Sequence, residues 1–214
     1  MKYGDVTLGQ VEAVWNRLGG ESGVQRFLAR ELVVVEKDSL KPVVVSNPTE
    51  FPVWLEIEVG GKSKGELIAA NKTAERETST YAADIMGKDA WKSGQVEVVK
   101  FARVKVRELG FTKNPTTQEI WNRIEELGHS LCEPADGPAL GVAFKDQPTG
   151  DVCWMAMKQI ADSDGDPSVF GLERGGIGKR WLRTRWVLPY DEWNLGNGFV
   201  FRLRKLDLVP GVSA

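Results

Sequence analysis

The chain has 214 residues, of which 42% are hydrophobic and 27% charged, with a formal net charge of −2. These values are ordinary for a globular protein with a buried core, and the lack of a basic excess disfavours general binding to nucleic acid. The sequence holds no run of 18 apolar residues, so no membrane-spanning segment is predicted.

The N-terminal residues and the two cysteines indicate the cellular compartment and the reactivity of the thiols. The N-terminal residues lack the apolar stretch of a secretory signal, which predicts a cytoplasmic protein. Cys132 and Cys153 stand in apolar surroundings, and two thiols at this spacing form neither a disulfide framework nor a zinc site. We expect both to be buried and unreactive. His129, the one histidine, follows a helix end, where contact with terminal carbonyls is commoner than metal binding.

The first elements in chain order are a predicted helical hairpin and two strands. Thr7 with Gln10 has the spacing of a capping box ahead of an apolar stripe at helical period. Ser22 with Gln25 repeats this pattern after a Gly-Gly joint. The two valine-rich runs in "ELVVVEKDSLKPVVVSNP" then predict a pair of strands.

The middle of the chain mixes strands and helices. "FPVWLEIEVGG" alternates as a half-buried strand, and two short helices follow, the second from about Thr80 to Gly87. "QVEVVKFARVKVREL" predicts a long strand, with a change of phase near Phe101 that indicates a bulge. Thr116 and Glu119 form a capping box at the start of the strongest predicted helix, which Gly128 ends.

After the last predicted helix the chain turns to strands. "ALGVAFKDQP", "DVCWMAMKQI", "PSVFGLER", "KRWLRTRWVLP" and "GFVFRLRK" predict five strands joined by polar turns. The predicted fold class is therefore α+β, with a helical hairpin and small sheet in the N-terminal half and an antiparallel, β-rich C-terminal half. The regions are 1–136 and 137–214, either as two domains or packed as one.

The stretch "ADSDGDPSVFGLER" raises the question of a metal site. Asp162, Asp164, Asp166 and Glu173 occupy positions 1, 3, 5 and 12 of an EF-hand calcium loop. Pro167, however, stands at position 6, where that loop needs the sharp turn of a glycine, and the flanks predict strands rather than helices. A hairpin turn is the favoured interpretation, and a weak, irregular calcium site is the alternative.

The most distinctive segment, Lys179 to Asn197, is rich in Trp, Arg and Asn. Such side chains are enriched at binding surfaces because rigid aromatics and forked guanidinium groups give contact area at a low entropy cost. The candidate ligand-binding residues are Arg183, Arg185, Trp186, Tyr190, Asp191, Trp193, Asn194 and Asn197. The alternative is that the tryptophans fill a small β-core while the arginines lie around them.

This segment also carries a family resemblance. An "RGG" sequence, a polar stretch with Trp and Arg, and a closing "NGFVFRLRK" resemble the end of C-type-lectin-like domains of the formylglycine-generating-enzyme type, a fold shared by the variable proteins of diversity-generating retroelements. The likeness covers residues 173–205, with a shorter spacing and with Val200 and Phe201 inserted before the arginine. The family's catalytic cysteines have no counterpart in this block, so the resemblance implies the binding branch, with a diversified surface. The whole chain also resembles small uncharacterised bacterial proteins, which implies no activity.

Taken together, these features predict a non-catalytic module that binds a protein or a small ligand through the Trp/Arg/Asn-rich segment. One alternative is a nucleic-acid-binding accessory protein, because Lys179, Arg180, Arg183 and Arg185 are interleaved with tryptophan over Lys179–Trp186. Another is an enzyme of unknown class, although no familiar catalytic motif occurs. No organic cofactor is predicted.

Overall fold

The computed structural model describes residues 50–204, together with four isolated helical positions, Trp15, Glu21, Val24 and Gln25. The chain divides into two compact units, Met1–Val44 and Val45–Ala214. Apart from those four positions, the predicted helical hairpin and the valine-rich strands after it lie outside the described residues.

Residues 50–204 contain helices and strands in an irregular order along the chain. The helices are α1 (Lys64–Thr73), α2 (Thr80–Ile85), α3 (Thr117–Glu126) and α4 (Asp136–Ala143), with a 3₁₀ turn at Val106–Leu109. The strands are β1 (Leu55–Val59), β2 (Arg76–Thr78), β3 (Glu97–Lys105), β4 (Val152–Met155), β5 (Ile160–Ala161), β6 (Pro167–Arg174), β7 (Arg180–Trp186) and β8 (Gly198–Arg202). The predicted α+β class is confirmed. None of these helices is long and apolar enough to cross a membrane.

All eight strands join one mixed sheet. Their order is β1-β3-β8-β4-β6-β7-β2, and β5 pairs with β6 at its side. β4 with β8 and β2 with β7 are parallel pairs, whereas the other pairs are antiparallel. Strands from either side of residue 136 therefore pair with each other, and the change in composition at that point marks no break in the sheet.

The sheet curls around helix α4. This helix contacts β1, β6 and β7, which are separated by up to five steps in the strand order. A flat sheet would place β1 and β7 about 24 Å apart, whereas a helix of this length spans only about 12 Å. The curl defines an inner face, which packs on α4, and an outer face on the opposite side.

The prediction of a strand for "ALGVAFKDQP" is wrong, because this segment forms most of α4. Its apolar run cannot be told from a buried strand by periodicity, since the helix is enclosed and has no polar side. Gly137 and Gly141 allow the close packing: an added Cβ would lie 2.7 Å from Phe170 Cβ and 2.3 Å from Asn71 Oδ1.

Two buried charged groups hold the ends of α4. Asp136, in the first turn, is fully buried and accepts hydrogen bonds of 2.6 and 2.7 Å from Arg202. At the other end, buried Arg76 donates to the carbonyls of Gly141 and Phe144 at 2.8 Å. The carbonyl end of a helix favours a cation and the amide end favours an anion, so both groups interact favourably with the helix dipole. Burial lowers the pKa of Arg76 to about 10, which leaves it protonated at neutral pH.

The other predictions for this part of the chain have mixed outcomes. α1, α2 and β1 occur as predicted, and α3 begins with the expected capping box of Thr116 and Glu119. The predicted bulge near Phe101 is wrong, since β3 pairs without interruption with both β1 and β8. The short strand β2 was not predicted, because three residues after a helix carry no period of their own.

Candidate functional site

The candidate site lies on the outer face of β7. Because side chains alternate along a strand, residues 179, 181, 183 and 185 share this face while Leu182 points to the core. We call Lys179, Trp181, Arg183 and Arg185 the cation–tryptophan ladder. Its three cationic side chains are exposed, and Trp181 is partly buried.

The first three members of the ladder interact with one another and with acidic neighbours. The ammonium of Lys179 lies 4.8 Å and the guanidinium of Arg183 5.8 Å from the Trp181 ring centroid, within the range of cation–π attraction. Lys179 also pairs with Glu77 of β2 at 3.7 Å, and Arg183 with Glu173 of β6 at 2.6 Å. Each of these two cations therefore has a carboxylate partner.

Arg185 differs from them. Its guanidinium lies 4.4 Å from the ring centroid of Trp193 and 5.7 Å from that of Trp154. Within residues 50–204, Arg185 makes no hydrogen bond and no ion pair. Two aromatic rings thus hold this exposed group, and its N–H donors have no acceptor in the described part of the chain.

The two rings under Arg185 are themselves fixed by the sheet. Trp154 of β4 lies across Gly171 of β6, where an added Cβ would come within 2.3 Å of the indole. Trp193 is 1% exposed, packs edge-on against Phe199 at 4.7 Å and donates from Nε1 to Thr117 Oγ1 at 2.9 Å. We call Trp154 and Trp193 the tryptophan seat.

The predicted ligand-binding residues separate into two groups. Five are exposed and available for contact, namely Arg183, Arg185, Trp186, Tyr190 and Asn194. The other three support the local backbone or core. Asp191 accepts from the N–H of Leu188, Asn197 accepts from the N–H of Asn194, and Trp193 belongs to the seat.

Sequence reasoning missed two parts of the site, Trp154 and Gly171. A glycine inside the strand pattern "SVFGLER" is the signal that could have found them, because it often marks a place where another group approaches the backbone. Exposed apolar side chains also occur near both ends of β7. Ile177 in the β6–β7 hairpin is 94% exposed, and Tyr190 after the strand is 71% exposed. Trp186, the last residue of β7, is 57% exposed and alternates to the face opposite the ladder.

The acidic stretch forms the predicted hairpin turn, between β5 and β6. Asp162 Oδ1 accepts from the backbone N–H groups of Asp164 and Asp166 at 3.0 Å, and Gly165 has φ +89°. Glu173 lies well inside β6, where it pairs with Arg183. Among the residues that the structure describes, no cluster of three or more acidic, His or Cys side chains could hold a metal ion.

The remaining reactive side chains are embedded in the core. Cys132 and Cys153 are buried free thiols, as predicted, and burial raises the pKa of Cys153 to about 12, far from the thiolate form at neutral pH. His129 is 3% exposed and packs against the rings of Phe51 and Phe201.

A pocket separate from the ladder has a volume of about 720 Å³ and is lined mainly by residues 129–134 and 158–160. Glu125, Glu133, Lys158 and Arg204 give it two charges of each sign. None of the predicted ligand-binding residues lines this pocket.

No protein-family model, no curated protein and no solved structure matches the chain. The resemblance of the C-terminal segment to C-type-lectin-like domains stays a prediction.

Proposed function

We propose that the protein is a non-catalytic module, acting in the cytoplasm, that binds a partner protein through strand β7 and the turns at its two ends. The contact surface is the cation–tryptophan ladder together with the exposed side chains of Ile177, Trp186 and Tyr190. One observation carries this proposal: exposed cations on one face of β7 lie against aromatic rings, and large exposed apolar side chains stand before the strand, at its last position and after it. Arg, Trp and Tyr are the residue types that dominate the energetics of protein interfaces.

A protein partner suits this surface better than a small molecule. Small-molecule sites are concave and enclose most of the ligand, whereas the ladder lies along an open strand. The charges also alternate, since Glu77 and Glu173 stand beside Lys179 and Arg183. Protein surfaces of mixed charge can match such a pattern and gain specificity from it.

The alternative of single-stranded nucleic acid is weaker on two grounds. Bases stack on the open faces of aromatic side chains, but the ring of Trp181 already has Lys179 and Arg183 against it. The phosphate backbone would also meet the carboxylates of Glu77 and Glu173.

Site-specific photo-crosslinking in the cells that express the protein tests the proposal. Benzoyl-phenylalanine replaces Trp186 or Tyr190, which are exposed and aromatic, so the change is small. We expect discrete adducts with one protein at these two positions, identified by mass spectrometry. The matched control position is Val96, which is 60% exposed and lies outside β7.

The adduct from position 190 should weaken when Arg183→Ala removes one ladder cation, because the partner then loses a contact it shares with the probe. Adducts of equal yield at positions 190 and 96, or none at 186 and 190, would show that β7 and its turns are not the binding surface. Crosslinks to nucleic acid at positions 186 and 190 would favour the alternative function.

The C-type-lectin-like resemblance adds a narrower proposal, diversification of the segment from Lys179 to Asn197. If that holds, variation among close homologues should concentrate at the exposed positions 183, 185, 186, 190 and 194. Trp193 and Asp191 should stay constant, because the first is core and the second caps a turn. Even divergence over all of these positions would contradict diversification without affecting the binding proposal.

A further inference from the structure

The open donors of Arg185 set this residue apart within the sheet. Its neighbours on the same strand, Arg180 and Arg183, donate to backbone or carboxylate oxygens, and buried Arg76 and partly buried Arg202 do the same. Arg185 is exposed, and its contacts in the described part of the chain are the two rings of the tryptophan seat. Packing therefore fixes the guanidinium without using its hydrogen-bonding capacity.

A guanidinium held in this way is preorganised to bind an oxyanion. It presents parallel N–H donors in a plane, which matches the two oxygens of a carboxylate or phosphate. A long side chain normally loses rotamer freedom when it binds, and a group already ordered on two rings loses less. The seat thus increases the affinity that a single Arg–oxyanion contact can provide.

We propose that Arg185 is the anchor for a carboxylate carried by an acidic segment of the partner protein. This inference rests on the proposed function and adds the chemistry of the partner. Charge complementarity supports it: Glu77 and Glu173 already balance Lys179 and Arg183, so within residues 50–204 Arg185 is the ladder cation without a counter-charge.

A carboxylate-bearing protein segment fits the surroundings better than a phosphate chain. The carboxylates of a protein segment lie on flexible side chains, so one of them can contact Arg185 while the others turn away from Glu77 and Glu173. A nucleic acid carries a phosphate in its backbone at every nucleotide, so it cannot turn its other charges away from these carboxylates in the same way. Free inorganic phosphate shares the oxyanion chemistry and is therefore one arm of the test.

The experiment is an NMR titration of the full-length protein, following the Nε–H signal of Arg185, assigned by its loss in the Arg185→Lys variant. The probes are an oligoglutamate peptide with blocked ends, the matching oligoglutamine peptide, an oligothymidylate and inorganic phosphate. We expect oligoglutamate to shift the Arg185 signal with saturation, and oligoglutamine to leave it unchanged.

Variants measured by calorimetry give the size of the effect. Arg185→Gln should weaken oligoglutamate binding by about tenfold or more, the range for losing hydrogen bonds between charged groups. Arg185→Lys keeps the charge but not the planar fork and should recover only part of the affinity. Lys92→Gln removes an exposed cation elsewhere and should change the affinity little.

Four results would overturn the inference: no shift with oligoglutamate, equal weakening by Arg185→Gln and Lys92→Gln, full recovery by Arg185→Lys, or tighter binding of oligothymidylate or phosphate than of oligoglutamate. These failures are separate from failure of the proposed function. Protein adducts at positions 186 and 190 without oligoglutamate binding would retain the binding face and reject the carboxylate anchor.

Discussion

The inner and outer faces of the sheet use arginine in opposite ways. On the inner face, Arg76 is 1% exposed and donates to four carbonyl or amide oxygens, among them Trp181 O on the strand that carries the ladder. On the outer face, Arg185 is exposed and rests on two indole rings without a hydrogen-bond acceptor in the described residues. Burial and partners, rather than residue type, distinguish a structural cation from one available to a ligand.

This contrast has an energetic basis. A buried polar group left without a partner destabilises the fold, so every donor of an inner arginine must be matched. An exposed donor is matched by water and can exchange that water for a ligand with little effect on stability. Substitutions on the inner face should therefore change stability, and substitutions on the ladder should change binding.

The largest effect is expected for Arg76→Met. The variant leaves the carbonyls of Gly141, Phe144 and Trp181 without their donor inside the core, so the free energy of unfolding should fall by at least about 3 kcal/mol. Urea denaturation followed by circular dichroism measures it. The matched outer variant Arg185→Met should change stability by less than about 1 kcal/mol. Similar losses of stability for the two variants would contradict the contrast between the inner and outer arginines.

The next effect concerns the other end of α4. Asp136→Asn removes the fully buried charge that pairs with Arg202, and should lower the free energy of unfolding by about 2 to 3 kcal/mol. Urea denaturation again gives the value. Asp191→Asn, a change at a partly exposed turn, serves as the control and should be much milder. A milder effect at position 136 than at 191 would contradict the role given to this pair.

A substitution beneath the tryptophan seat should change both the stability and the position of the Arg185 guanidinium. Gly171→Ala places a methyl group where Trp154 lies, so the indole must move, and we expect a loss of about 1 to 2 kcal/mol together with a shift of the Arg185 Nε–H signal. Gly176→Ala is the matched control, because an added Cβ there meets nothing within 4 Å and should leave that signal in place. An unchanged Arg185 signal in Gly171→Ala would mean that the seat does not position the guanidinium.

The smallest effect on stability is expected for a substitution in α3. This helix covers part of the outer face, where its Trp121 packs on Phe199 of β8. The backbone N–H and then the hydroxyl of Thr116 donate to Glu119 and hold its pKa below the ordinary value of 4.5. A lowered folded pKa means that the carboxylate stabilises the fold above the ordinary pKa and that this contribution is lost as the pH falls through the folded pKa.

Glu119→Gln should therefore be slightly less stable than the wild type at neutral pH, and the gap should close as the pH falls below about 4. Unfolding midpoints across pH measure this, with Glu125→Gln as the control in the same helix. Oligoglutamate binding should be the same in both variants, since α3 lies outside the ladder. A gap that widens toward low pH would reverse the sign of the argument.

The elements predicted well are those with local signals. The capping box at Thr116, the alternation in "LEIEV" and the Asp/Gly turn before β6 each act over a few residues, and all three occur as predicted. Helix α4 was missed because an enclosed apolar helix and a buried strand have the same composition. Part of the site was predicted from residue type alone, without knowing which side chains would be exposed.

The sequence by itself determined the α+β class, the buried thiols, the turn chemistry of the acidic stretch and the segment that carries the exposed cations and aromatics. These depend on composition and on short-range geometry. Only the tertiary structure decided that β4, separated from β7 in the chain, places Trp154 beside Arg185, and that Glu77 and Glu173 balance Lys179 and Arg183. Such pairings depend on strand order and register, which long-range packing sets and which no local pattern encodes.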